Sequence, residues 1–230
     1  MTRVCPPATR RVIQTANNAN NGIKYHAGRL LATYEAGASL ARCCRFRLAR
    51  DALTLSLLLA AGSAYELALS RELTTLGVCD FNGSWGTGDH WSQTFTAHAK
   101  LCPRTGELLY IGYCLVPAGG PPTVTVGTVG PGGAVEHRVT LPVARPSMQH
   151  DMGFTASRVV LVDGPLVFNL PKSVRGERPF DFVRGEPLRF GVLPRRGNAE
   201  DVVWIDAECC FAYHGAHPVC AVCAWMQGRR

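Results

Sequence analysis

Three histidines stand where metal chemistry could be done. His98 lies in QTFTAHAKLCPRTGELLYIGY, His150 in PSMQHDMGFTASRVVLVDGPLVF with Asp151 beside it, and His214 in ECCFAYHGAHP. Each abuts an aromatic or β-branched segment. Neutral imidazole is a ligand for Zn, Cu, Fe and Ni. The three lie 52 and 64 residues apart, too far for a local clip such as HExxH or a zinc finger. That spacing suits ligands delivered from successive sheets to one centre. Spacing alone does not choose them: a lone histidine near a strand is more often a structural residue than a ligand, and His90, His137 and His217 are also candidates. A second, local set is His214-x-x-His217-x-x-Cys220-x-x-Cys223, whose residue types suit zinc. The competing reading of that set is a tail without selected ligands.

The elements that must position these residues can be read from turn and apolar patterns. The chain has 230 residues, enough for one large domain or two small ones with a real core. Its formal charge is +7, but the arginines are scattered rather than clustered among aromatics, so nucleic acid is not expected as a partner. The ten cysteines lack framework spacing and Met1–Gln14 lacks the apolar core of a secretory signal, so mostly buried, reduced thiols in an intracellular protein are expected. Residues 1–11 are Arg-rich without an acid, which suits a transit-like or frayed terminus.

Residues 12–35 read as turn, strand, turn, strand, with Asn17, Asn18, Asn20, Asn21 and Gly22 supplying turn chemistry. His26 is expected at the surface. Residues 39–64 break this texture with a basic, Cys-paired stretch and a Leu-rich run, expected to be a helical or disordered insertion. The run is too short to span a bilayer. Strand character resumes at Leu73–Phe81. A Pro-x-x-Gly turn at 103–106 joins two apolar runs, and further strands follow at 122–129 and 135–143. A strand pair is expected around Asp163-Gly164, and two more strands at 190–194 and 202–205. Turn signals every 8–12 residues or so argue for an all-β sandwich, barrel or propeller. No repeat of fixed period is visible.

Several of these segments together resemble a known family. FTAHAKLCPRTGELLYIGY, MQHDMGFTASRVVLVDGPLVF, PLRFGVLPRRG and CCFAYH, in that order, are similar to motifs of the carotenoid cleavage oxygenases, and ANNANNGIKYHAGRLLATYEAG is similar to an upstream segment. The likeness covers roughly residues 12–37 and 65–214. It implies a seven-bladed β-propeller, present here in part, with Fe(2+) on its axis held by four histidines. His98, His150 and His214 fall on three of them. Ala99 stands where the family's T-A-H-P-K motif has proline, and Tyr213 where phenylalanine is usual. Glu35 falls on an acid that hydrogen-bonds an iron-ligand histidine, which fixes its tautomer and ring orientation.

The implied function is a non-haem Fe(II) dioxygenase that cleaves a conjugated C=C bond of a carotenoid, apocarotenoid or stilbene-like substrate with O2, giving carbonyl products. The implied setting is plastid or cytoplasm, with peripheral membrane contact for a lipophilic substrate. The fourth histidine falls in a region of the family pattern that this chain does not reach. The pattern also stops after His214, so residues 215–230 and 39–64 are expected to lie outside the family core, in the manner of translated non-coding sequence. Two rival readings follow: an inactive remnant lacking the fourth ligand, and a metal-free β interaction module. A chain holding only part of the blades is expected to expose sheet edges and to be unstable alone.

Overall fold

A computed structural model describes residues 22–34, 63–67, 75–85, 95–115, 120–175 and 177–215. These residues are almost entirely antiparallel sheet. The first sheet has strand order β1-β2-β3-β4, from β1 (Gly22–His26), β2 (Arg29–Tyr34), β3 (Ser63–Leu67) and β4 (Thr75–Val78). The second is β5-β6-β7-β8, from β5 (Lys100–Leu101), β6 (Leu108–Cys114), β7 (Thr123–Val129) and β8 (Val135–Pro142). The third uses β9 (Met152–Phe154), β10 (Arg158–Asp163), β13 (Leu188–Pro194) and β14 (Val203–Ala207) in the order β9-β10-β13-β14. Between β10 and β13 the chain makes an excursion. It comprises β11 (Leu166–Phe168), a five-residue helix α1 (Leu170–Val174) and β12 (Phe180–Phe182), with β11 and β12 paired as a ribbon. Three successive four-stranded sheets of this kind are three blades of a β-propeller, the fold expected from the sequence.

Each blade is held to the next by apolar side chains. Strand β6 shows how: along it residues alternate between the two sheet faces. Leu108 and Tyr110 enter one cluster with Leu31, Cys79, Phe81, Trp85 and Phe95 of the preceding blade and its exit loop. Leu109 and Ile111 enter another with Met152, Phe154, Val159, Leu161 and Leu193 of the following blade. Strand β6 is thus buried on both faces, which is why ELLYIGY reads as a continuous apolar run. At Gly127 the ring of Tyr110 lies across the strand: a Cβ there would be 2.1 Å from Cζ, so only glycine fits. Tyr110 stacks on Phe95 with centroids 4.7 Å apart, and its hydroxyl accepts from Arg138 Nε at 3.1 Å.

Two expectations are corrected. Val159–Phe168 does not fold as one strand pair about Asp163-Gly164: β10 pairs with β9 and β13, whereas β11 pairs with β12. The Asp163 carboxylate is buried and accepts from Ser147 Oγ and from Gln149 Nε2 at 3.1 Å, which anchors the end of β10 to the preceding segment. Pro165 then has no N–H to continue a ladder. His26 is not on the surface: its side chain is buried and Nε2 donates to Gly106 O at 2.9 Å, joining the first two blades. The segment 39–62 lies outside the described residues. Ser63 and Ala64, at its far edge, begin β3, and Ser63 pairs with Tyr34. No helix among the described residues is long and apolar enough to cross a membrane.

Candidate metal centre

Two of the three histidines are placed by the same local device. His98 stands two residues before β5 and His150 two residues before β9, the first strands of consecutive blades. His214 follows β14, the last strand of the third blade. The interval from His98 to His150 is therefore one blade. The longer interval to His214 is one blade plus the β11–α1–β12 excursion. This explains both the large spacing and the lack of a fixed sequence period.

The ligand atoms of His98, His150 and His214 all lie within 4.8 Å of one another. Ring centroids are 4.4 Å apart for His98 and His150, 4.6 Å for His98 and His214, and 4.9 Å for His150 and His214. His150 is buried and His98 half-buried, while the His214 side chain is 52 % exposed. The Tyr213 ring covers His150 with centroids 4.0 Å apart.

Local hydrogen bonds fix the loop that carries His98. Thr96 N–H donates to Ile111 O at 2.7 Å, and Thr96 Oγ1 accepts from His98 N–H at 3.0 Å. The Thr96 hydroxyl lies 3.4 Å from His150 O. From the first blade, the Thr33 hydroxyl donates to Ala97 O at 2.9 Å. At Gly22 a Cβ would be 2.6 Å from Ala97 O, so β1 can approach the loop only with glycine there.

One ion pair runs beside the cluster. Lys100 Nζ and Asp151 Oδ1 are 2.8 Å apart with both side chains buried. Asp151 also accepts from Met152 N–H at 2.8 Å and Gly215 N–H at 3.0 Å. Burial pushes the Asp151 carboxyl up, but the Lys100 ammonium and the two backbone N–H groups outweigh it and hold its pKa below the ordinary value. His98 is pushed down to about 4, chiefly by burial and then by the neighbouring His150. It is therefore neutral at pH 7, the form in which imidazole binds a metal.

The donor set consists of nitrogen ligands only. Three imidazoles converge, no thiolate or carboxylate oxygen joins them among the described residues, and His98 needs no deprotonation at neutral pH. These residues fit a divalent first-row metal.

Of the other histidines, His137 Nε2 donates to Gly197 O at 3.1 Å and His26 to Gly106 O, so both are structural. His90, His217, Cys220, Cys223 and Glu35 lie outside the described residues. Sequence reasoning singled out the three histidines but gave no role to Lys100, Thr96 or Thr33.

Residues 49–217 match the family described as retinal pigment epithelial membrane protein. The chain belongs to this family, that of the carotenoid cleavage oxygenases. The match runs through residues 49–64 and 215–217, inside the two segments set apart from the sequence. Among relatives, the carotenoid 9,10(9',10')-cleavage dioxygenase 1 of Phaseolus vulgaris is 30 % identical over 200 residues, covering 86 % of this chain and 31 % of that protein. Resveratrol cleavage oxygenase 1 of Chaetomium globosum is 33 % identical over 214 residues, covering 90 % of this chain and 30 % of that protein. The crystal structure of Pseudomonas brassicacearum lignostilbene dioxygenase superposes with a TM-score of 0.63 at 28 % identity, covering 83 % of this chain and 33 % of that one. The chain spans about a third of the length of the curated relatives it matches.

Proposed function

We propose that His98, His150 and His214 are ligands of a non-haem Fe(2+) ion. In this reading the chain supplies that part of a dioxygenase that cleaves a conjugated C=C bond of a carotenoid, apocarotenoid or stilbene-like substrate. One observation carries the reading: three imidazoles from three blade boundaries converge within 4.8 Å. The names of relatives acting on carotenoids and on resveratrol support the substrate class.

When bound, Fe(2+) supplies the site at which O2 is activated. The reaction balances without an added reductant, since one C=C bond and O2 give two C=O groups. The residues of this chain hold and orient. His150 is fixed by burial under Tyr213, His98 by Thr96, and the His98 loop by Thr33. Glu35 is proposed to accept a hydrogen bond from a ligand histidine and so set its tautomer. Residues 39–64 and 215–230 are proposed as insertion and tail, to be checked against transcript sequence across both junctions. A plastid or cytoplasmic location, with peripheral membrane contact for the lipophilic substrate, goes with the same reading and is checked by fractionation.

The test is anaerobic loading of the purified full chain with Fe(2+), followed by metal analysis and a colour-loss assay with an apocarotenoid. About one iron per chain is expected, and His150→Ala is expected to lower affinity by about tenfold or more. Iron bound without colour loss would favour the inactive remnant. No iron bound, or binding unchanged in His150→Ala, would leave the metal-free β module.

A further inference from the structure

All three histidine segments meet on one carboxylate. Asp151 is buried and directly follows His150. Its Oδ1 faces Lys100 Nζ at 2.8 Å and accepts from Met152 N–H at 2.8 Å. Its Oδ2 accepts from Gly215 N–H at 3.0 Å and lies 3.9 Å from His214 Nδ1. Lys100 is two residues beyond His98, and Gly215 is next to His214. Each oxygen thus faces a segment bearing one of the other two histidines, while the backbone of Asp151 itself carries the third.

We propose that Asp151 is a positioning residue of the metal centre, with Lys100 as its partner, and that this pair sets the mutual placement of the three histidines. The inference rests on reading those histidines as metal ligands. Charge-assisted hydrogen bonds are the strong, short ones, and on Asp151 they join all three stretches, whereas the Thr96 hydroxyl joins only those of His98 and His150. Removing one member of a buried pair leaves an uncompensated charge in the interior, which forces the surroundings to move. Groups that orient metal ligands from behind typically change metal affinity about 10–100-fold when lost.

Two roles of Asp151 can be told apart. If the carboxylate acted only through its field on the metal, removing Lys100 would strengthen metal binding. If the pair acts by placement, removing either member weakens it.

Co(2+) is the probe, since its visible absorption bands report ligand geometry as well as affinity. Titrations would use the full chain, Asp151→Asn, Lys100→Met and, as a control, Glu107→Gln. The control breaks two ion pairs between the second and third blades, to Arg195 and Arg196, that do not touch the histidines. Asp151→Asn is expected to lower Co(2+) affinity by about tenfold or more and to shift the bands. Lys100→Met is expected to lower it about threefold or more, in the same direction. Glu107→Gln is expected to lower the unfolding temperature with affinity and bands unchanged.

Affinity within about twofold of the native chain in Asp151→Asn, with unchanged bands, overturns the proposal. So does tighter binding in Lys100→Met. Should Asp151→Asn lose its cooperative unfolding transition, Lys100→Met decides alone, because it keeps both backbone bonds to Asp151. A native chain that binds no Co(2+) overturns the ligand reading itself, and that failure is seen before any variant is compared.

Discussion

Strands β6 and β14 have similar apolar content and opposite fates. In β6 the residues from Leu108 to Gly112 are buried through Ile111 on both faces, because a blade stands on either side. In β14, Trp204 packs inward against the aliphatic cluster, but Val203 and Ile205 on the other face are 60 % and 52 % exposed. The same alternation appears in β1, where Ile23 and Tyr25 are exposed and His26 is buried. Burial in this fold is decided by which blade faces a strand, not by the strand's own residues. The second blade is therefore the well-packed middle of the described structure, and His98 and His150 stand at its two boundaries.

The sharpest way to break this contrast is at the centre of the second blade. Tyr110 is fully buried, stacks on Phe95 and lies against Gly127. Tyr110→Ala leaves a cavity that the sheet cannot close, and it is expected to cost about 3–5 kcal/mol, read as a lowered midpoint in urea unfolding. A loss below about 1 kcal/mol would show that the aromatic cluster adjusts and that the middle blade is not specially well packed.

A smaller effect is expected where the second blade meets the third. Glu107, in the turn before β6, takes Arg195 Nη1 at 2.9 Å and Arg196 Nη2 at 2.8 Å from the turn after β13. Burial raises its pKa, but the hydrogen bonds from Arg196 and Thr105 and the charges of Arg195 and Arg196 outweigh that, and the folded value lies below the ordinary 4.5. A carboxyl with a depressed folded pKa contributes stability that is fully present above the unfolded value. That stability fades as pH falls through the folded value. Glu107→Gln is expected to cost about 1.5–3 kcal/mol at pH 7, and its deficit should shrink as pH falls below the ordinary value. A deficit independent of pH would mean that packing rather than charge is lost.

The contrast also explains what the sequence revealed. Strands beside clear turn signals were legible: β6, β7 and β8 lie within a residue or so of the expected apolar runs, and β13 begins two residues before the expected 190–194. The three-residue strands β9 and β12 carry too few residues for a pattern. The break between β10 and β11 was hidden because Asp163-Gly164 resembles a hairpin turn, and only the burial of Asp163 beside Ser147 and Gln149 shows why the chain leaves the sheet. His26 was misplaced because its partner, Gly106, comes from the next blade. In the site, the histidines were legible from ordered motifs. The pairing of Lys100 with Asp151 was not, since it needs the first strands of two blades to lie side by side.

The smallest effect is expected on the open face of β14. Ile205 is apolar and β-branched, the residue type that a strand pattern assigns to the core. Yet it is half exposed and belongs to neither buried cluster. Ile205→Ala therefore removes little surface that folding takes from water, and a change within about 0.5 kcal/mol is expected. Leu161, on the central strand β10 of the same blade, is fully buried among β6 and β7 side chains. Leu161→Ala in the same experiment is expected to cost about 2–5 kcal/mol. Both changes delete comparable aliphatic groups from one sheet, so the difference between them isolates the facing blade as the source of stability. Equal losses at the two positions would mean that β14's outer face is covered in solution, and the asymmetry between the middle blade and its neighbour would then not exist.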